Sequence, residues 1–272
     1  MTTRSAVRAG RLSAAHAAAL ARLLDRDPVV NVYLRSELQM GIENGDWWGV
    51  VDGDSVRATA LGRPLIVPCI PNLEDAQALA ETVAATVAPH MLVGPRDAVL
   101  AFHRALHRPA REVRDPQYLL AVDRSGFTRQ ESSPVRPARR SDIDALVVAA
   151  ADMHREEMGI DPLAIDAAGW RARMANLVDR GWSWVWTERG MIIFKAELSA
   201  WTHNAVQIQG VWTHPAYRSR GIGRIGLAAV CASLLSEVAM CTLYVNHYNR
   251  AALALYERLG FRKVADFATV IY

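Results

Sequence analysis

Apolar residues in the second half of the chain switch between a spacing near 3.6 and a spacing near 2, and the switches divide it into elements. A short strand over 135–139 leads to a helix from Ser141, its cap, to about Met158, with Asp144 three residues on as a weak capping partner. A second helix is predicted over 166–179, then three strand-like runs over 182–187, 191–198 and 205–213. Glu188-Arg189-Gly190 is a tight turn between the first two, and connections this short make the three runs an antiparallel meander. Leu227, Val230, Cys231, Leu234, Leu235 and Val238 share one helix face. A buried strand follows at 242–245. Asn249 then caps a helix with Ala252, Leu255, Tyr256 and Leu259 on one face, Gly260 ends it, and 261–269 is the last strand.

The first half is less regular. Helices are predicted over 13–24, 29–38, 73–86 and 97–106, and strands over 47–51, 55–60, 91–93 and 117–122. The order of elements loosely echoes the second half, as a degenerate internal repeat would. Between 122 and 137 the periodicity gives way to Ser, Gly, Pro and charges, so the division is placed near residue 130, with domains at 1–130 and 131–272.

At 272 residues, 51% hydrophobic and 22% charged, the chain can bury a substantial core and fill two domains. No run approaches the roughly 18 uninterrupted apolar residues of a membrane span; even 12–24 is broken by Ser13, His16 and Arg22. Arg4, Arg8, Arg11 and Arg22 precede the first acidic residue, Asp25, a bias shared with organelle transit peptides, although an ordinary first helix accounts for it. No secretory signal is visible. Lys195 and Lys263 are the only lysines against 29 arginines, as a GC-rich genome would produce. The net charge of +3 is too small and dispersed for a nucleic-acid surface. Cys69, Cys231 and Cys241 lack metal-ligand spacing and fit reduced, packed thiols in a cytoplasmic protein. His203, His214 and His247 form no ligand cluster, and no metal is assigned.

Charge bears most on the stretch 206–226, a strand entering a basic turn and then a glycine-rich helix start. Backbone N–H groups at a helix start lack intrahelical partners and sit at the positive end of the helix dipole, so such a turn suits a pyrophosphate. Gly221-Ile222-Gly223-Arg224-Ile225-Gly226 satisfies the dinucleotide pattern GxGxxG. Its context does not. Seven residues separate Thr213 from Gly221, the strand before is part of a meander, and the next strand ends in Val245-Asn246-His247 without a ribose-binding carboxylate.

With the later elements included, the second half closely resembles the GNAT superfamily of acyl-CoA N-acyltransferases. That family's cofactor pattern, Arg or Gln, two residues, Gly, one residue, Gly or Ala, stands here as Arg218-Ser219-Arg220-Gly221-Ile222-Gly223. A second motif stands as Leu243-Tyr244-Val245-Asn246, then Asn249, then Ala254 to Phe261. The resemblance covers about 133–272, and the whole chain looks like two-domain bacterial GNAT proteins. It implies an α/β (α+β) fold with a mixed, mainly antiparallel sheet flanked by helices, in tandem with a degenerate GNAT-like N-terminal domain. It also implies that the pyrophosphate of acetyl-CoA rests on Ser219 to Arg224, with arginine side chains adding charge-assisted bonds. The pantetheine arm would lie along backbone groups of Val211, Trp212 and Thr213. Asn249 commonly contacts the cofactor, although a helix cap explains it equally.

The expected activity is transfer of an acetyl group from acetyl-CoA to a primary amine by direct attack. Tyr256 matches the family's general acid; by itself, a tyrosine on an apolar helix face is core packing. Family positions for a glutamate base are held by Gln207 and Tyr244, neither of them a carboxylate. Glu197, Glu156 and Glu157 remain as acidic candidates beside ordinary surface charge, and a water relay is the alternative. Trp182, Trp184 and Trp186 alternate along one strand and fit either core packing or an acceptor wall. The acceptor would be a small-molecule or protein amine, the protein a monomer or homodimer free of membrane and nucleic acid. The rival expectation is a non-catalytic acyl-CoA sensor or scaffold, motivated by the missing carboxylates.

Overall fold

A computed structural model describes residues 8–62, 65–128 and 133–272. The first repeat comprises β1 (Arg8–Arg11), α1 (Ala17–Leu24), α2 (Val32–Gln39), β2 (Trp47–Asp52), β3 (Ser55–Leu61), β4 (Leu65–Cys69), α3 (Ala76–Ala84), β5 (Met91–Pro95), α4 (Arg96–Leu106) and β6 (Glu112–Asp123). The second comprises β7 (Arg136–Pro137), α5 (Ile143–Met158), α6 (Pro162–Asp179), β8 (Ser183–Glu188), β9 (Met191–Trp201), β10 (Ala205–Thr213), α7 (Ile222–Leu234), β11 (Met240–Asn246), α8 (Arg250–Arg258) and β12 (Arg262–Ile271). Apart from short 3-10 turns the two orders are the same. The internal repeat is therefore real at the level of topology.

By compactness the chain forms two units. One takes Met1–Leu120, Tyr244–Arg250 and Lys263–Tyr272, and the other Ala121–Leu243 and Ala251–Arg262. This differs from a single cut near 130, a position outside the described residues, because β12 leaves the second repeat and joins the first unit. There it pairs antiparallel with β5, from Phe267↔Pro95 to Ile271↔Met91. Its buried Ala268 and Val270 complete a core with Ile66, Leu79, Val83, Leu92, Val99 and Phe102. Local periodicity marks β12 as a strand but not its partner, which lies far away in sequence.

The first unit's strand order is β1-β2-β3-β4-β5-β12-β6. β1 and β4 escape the sequence reading for separate reasons. β1 is Arg-Ala-Gly-Arg, an edge strand with exposed ends and no apolar pattern. β4 contains Pro68, which has no N–H to give a ladder, and its parallel pairing with β5 covers only Leu65↔Met91 and Ile66↔Leu92.

The second unit orders its strands β7-β8-β9-β10-β11. β8, β9 and β10 form the expected antiparallel meander. β9 is buried on both faces from Ile192 to Leu198, a run that includes Lys195 and Glu197. α6 breaks at Asp166, whose carboxylate accepts the Gly169 N–H at 2.8 Å, so a new helix starts there as its sequence predicts.

α7 lies on β9 through a glycine. A Cβ at Gly226 would stand 2.7 Å from the Phe194 ring, so only glycine admits this approach without displacement. Gly226→Ala is expected to cost about 1–3 kcal/mol through overpacking, read as a lowered urea midpoint. An unchanged midpoint would mean that Phe194 moves freely.

Candidate active site

The strand β10 begins in register and ends out of it. Its parallel pairing with β11 covers Ala205↔Met240, Val206↔Cys241 and Gln207↔Thr242, and among the described residues no pair follows. On the other side, Gln209 pairs with Glu197 and Trp212 with Lys195, so Gly210 and Val211 together oppose the single residue Ala196. This is a β-bulge, and Gly210 holds it in the left-handed region at φ +59°. Gln209, Gly210 and Val211 are partly exposed, whereas Ile208 and Trp212 on either side are buried.

After Thr213 the chain makes a 3-10 turn over Pro215–Tyr217, where His214 Nδ1 accepts the Ala216 N–H at 3.2 Å. Arg218 folds back, its Nε donating to the Thr213 carbonyl at 3.0 Å. Ser219 (φ +61°) and Gly221 (φ +79°) are both left-handed and turn the backbone into α7. Helix geometry leaves the N–H groups of Ile222 and Gly223 without an acceptor inside α7. A Cβ on Gly221 would meet nothing nearer than 3.9 Å, so this glycine is required by its conformation and the space before the helix is open. Gly223 is required by packing. A Cβ there would stand 3.0 Å from Thr213 Oγ1 and 3.2 Å from Leu255 Cδ1, so the end of β10, the start of α7 and α8 converge on it.

The first repeat treats the same helix start differently. Asn72 accepts the Glu74 N–H at 3.3 Å, and Glu74 and Asp75 occupy the turn before α3, both bonded to Arg57. Asp75 is buried. That helix start carries its own anions, while the one before α7 carries Arg218, Arg220 and Arg224. The side chains beside the first helix start are thus acidic around a single arginine, and those beside the second are basic, with Arg218 paired to Glu156.

Tyr256 follows Leu255 on α8. Its ring is buried, 5.8 Å from that of Phe261. Burial first, then the charges of Glu157 and Cys231, push its phenol well above the ordinary tyrosine value, which keeps the proton in place at neutral pH. Asn249 stands exposed just before α8, its N–H donating to the Asn246 carbonyl at 3.0 Å. It groups with the first unit, whereas Val211, Trp212, Thr213, the turn and Tyr256 all belong to the second.

The acidic candidates prove to be engaged. Glu156 accepts from Trp212 Nε1 at 3.3 Å and from Arg218 at 2.6 Å, tying the end of α5 to the approach of the turn. Glu197 is only 3% exposed, and Lys195 Nζ donates to its Oε1 at 2.5 Å. In the structure the carboxylate expected as a base is thus bonded to the buried Lys195. Trp182 packs on the α5–α6 core beneath Arg180, whose guanidinium carbon lies 3.4 Å from the ring centroid, and Trp184 is buried. Sequence reasoning gave Lys195 no role. Its signal was a lysine in mid-strand, among apolar residues, in a chain that otherwise uses arginine.

Comparison with known proteins agrees with this geometry. Residues 153–261 match the model of the acetyltransferase (GNAT) family, and residues 45–146 match a domain of unknown function, DUF4081. Residues 153–261 are thus similar to the GNAT family of acetyltransferases. The fold is that of tandem GNAT structures. A GNAT-family acetyltransferase from Colwellia psychrerythraea aligns at TM-score 0.61 with 11% identity, covering 97% of this chain and 99% of its own. A GCN5-related N-acetyltransferase from Sphaerobacter thermophilus aligns at 0.59 with 16% identity, over 97% and 94%. A tandem GNAT protein from the clavulanic acid biosynthesis pathway aligns at 0.57 with 13% identity, over 97% and 98%. No curated protein matches the chain in sequence. Among the described residues no cluster of His, Cys, Asp and Glu could hold a metal ion, and no helix is long and apolar enough to cross a membrane.

The state of Tyr256 has a measurable consequence. In the unfolded chain its phenol ionises near pH 10, whereas the folded value is higher. Between the two values only the unfolded state gives up the proton, so the stability is full below about pH 10 and falls as pH rises, by about 1.4 kcal/mol per pH unit for this group. Urea midpoints taken from about pH 9.5 to pH 11 should fall more steeply for the native protein than for Tyr256→Phe. Equal slopes would show that the fold does not hold the phenol protonated.

Proposed function

We propose that the second repeat, residues 131–272, transfers an acetyl group from acetyl-CoA to a primary amine by direct attack. One observation carries the reading: an arginine-flanked helix start follows, after a seven-residue turn, a strand that has left its parallel partner and bulged at Gly210. The pyrophosphate would rest on the backbone of Ser219 to Arg224 with Arg220 adding charge, and Asn249 would contact the cofactor. Val211, Trp212 and Thr213 would offer backbone groups to the pantetheine arm as an added strand does. Acetyl-CoA supplies an activated acyl group as a thioester.

The Val211 N–H holds the thioester oxygen on which negative charge develops, a contact of a kind worth roughly 3 kcal/mol. The neutral amine nitrogen bonds to the carbonyl carbon as the carbon–sulfur bond breaks. Tyr256 gives its proton to the departing thiolate, and water relays the amine's surplus proton to solvent. The acceptor is a small-molecule or protein amine, and the protein acts in the cytoplasm as a monomer or homodimer.

A second reading, a non-catalytic acyl-CoA sensor, is favoured by one observation: Gln207, Tyr244 and the ion-paired Glu197 leave no free carboxylate at the expected base positions. Calorimetry with acetyl-CoA, followed by thiol release across a broad amine panel, separates the two. Binding with turnover supports the enzyme, and Tyr256→Phe should then lose about 100-fold in kcat with little change in KM for acetyl-CoA. Binding without turnover supports the sensor, and absence of binding overturns both. Gly221→Val forces a branched residue into the left-handed region, a cost of about 1–2 kcal/mol, so it should weaken acetyl-CoA binding about tenfold.

A further inference from the structure

Lys195 is fully buried at the centre of β9 in a chain with 29 arginines and one other lysine. Its Nζ donates to Glu197 Oε1 at 2.5 Å and to the Gly210 carbonyl at 3.1 Å. Both acceptors lie at the bulge of β10. The second carboxylate oxygen is close as well, since a Cβ built on Gly210 would stand 3.0 Å from Lys195 Nζ and 3.1 Å from Glu197 Oε2. Stability alone gives little reason for such a pair. Desolvating two charges offsets much of their attraction, and apolar residues of similar volume often replace a buried ion pair at no loss.

What the pair does is fix a peptide plane. The bulge residues Gly210 and Val211 lie outside the regular register, and the Gly210–Val211 bond is not among the cis bonds. In a trans peptide the C=O and the following N–H point in opposite directions. With the Gly210 carbonyl drawn onto the ammonium of Lys195, the Val211 N–H is turned away from that ammonium, within the partly exposed stretch Gln209 to Val211. Glu197 neutralises the ammonium and fixes its position. An arginine, with its planar and wider head, would not supply the same compact donor.

We propose that the buried Lys195–Glu197 pair is a positioning device: it locks the Gly210 carbonyl inward and so presents the Val211 N–H to the oxygen of an acyl thioester. The idea rests on the acyltransferase reading above. Neither side chain touches substrate; both act through the Gly210–Val211 peptide.

The test uses full-length protein and the double variant Lys195→Met/Glu197→Leu, which removes both charges together, because removing one would strand the other in the core. Amide spectra of selectively 15N-valine-labelled protein are recorded with CoA and with acetyl-CoA, which differ only in the acyl group. In the native protein the Val211 amide should shift further with acetyl-CoA than with CoA. In the folded double variant this difference should vanish, with CoA affinity kept within about twofold and kcat lowered about 10- to 100-fold, short of the complete loss of an oxyanion donor. A Val211 response that persists, or an unchanged kcat, overturns the positioning role while leaving the acyltransferase reading intact. Failure of the native protein to bind either ligand overturns both. Should the double variant not fold, Gly210→Ala serves instead. It leaves both charges in place but strains the φ +59° bulge and crowds the lysine, and the same loss of the Val211 response is expected.

Discussion

Every helix begins with N–H groups that must find an acceptor, and the two halves of this protein satisfy that constraint in opposite ways. Before α3 the acceptor is internal: Asn72 takes a backbone N–H, and Glu74 and Asp75 bring negative charge held by Arg57. Before α7 no side chain caps the helix, and Gly221 in a left-handed conformation leaves the space in front of it open. The same order of elements thus yields one helix start led into by an acidic, side-chain-capped turn and one led into by a basic turn without a side-chain cap on the helix. The fold occurs twice, but only one of the two helix starts is led into by an acidic turn.

The open helix start would be of little use without a strand free beside it. β10 gives up its parallel partner after Gln207 and then bulges, so its last residues keep backbone groups that an ordinary central strand would spend on its neighbour. The first repeat also opens its parallel pair, after Ile66, but there the cause is Pro68, which has no N–H to offer anything. A glycine bulge reorients donors, whereas a proline deletes one. That difference, together with the acidic turn that follows, separates the two repeats at the same place in their common order of elements.

Much of this was legible in the residues themselves. Strand β10 ends at Thr213 and α6 restarts at Asp166 where periodicity and capping chemistry place them, because both signals are local. The glycines at 221, 223 and 226 were legible as a group but not by role. The structure separates them into one needed for its φ, one for the meeting of three elements and one for contact with Phe194. What stayed hidden was non-local. β1 has no apolar pattern, the pairing of β12 with β5 joins residues far apart in sequence, and Lys195 gains meaning only once Gly210 is seen to bulge across from it.

The exchange of β12 also bears on what counts as a domain here. The GNAT match ends at residue 261, one residue before β12 begins, so the segment recognisable by its residues stops where the chain passes to the first unit. In the first unit β12 covers β5 and contributes Ala268 and Val270 to the core. Cutting the chain near 130 would strip that core of an interior strand and leave β5, with its fully buried Leu92, at a new edge. The repeats are units of sequence, the compact bodies are units of packing, and β12 belongs to one of each. The first unit depends on the last strand of the second repeat, so neither repeat holds a complete unit of packing by itself.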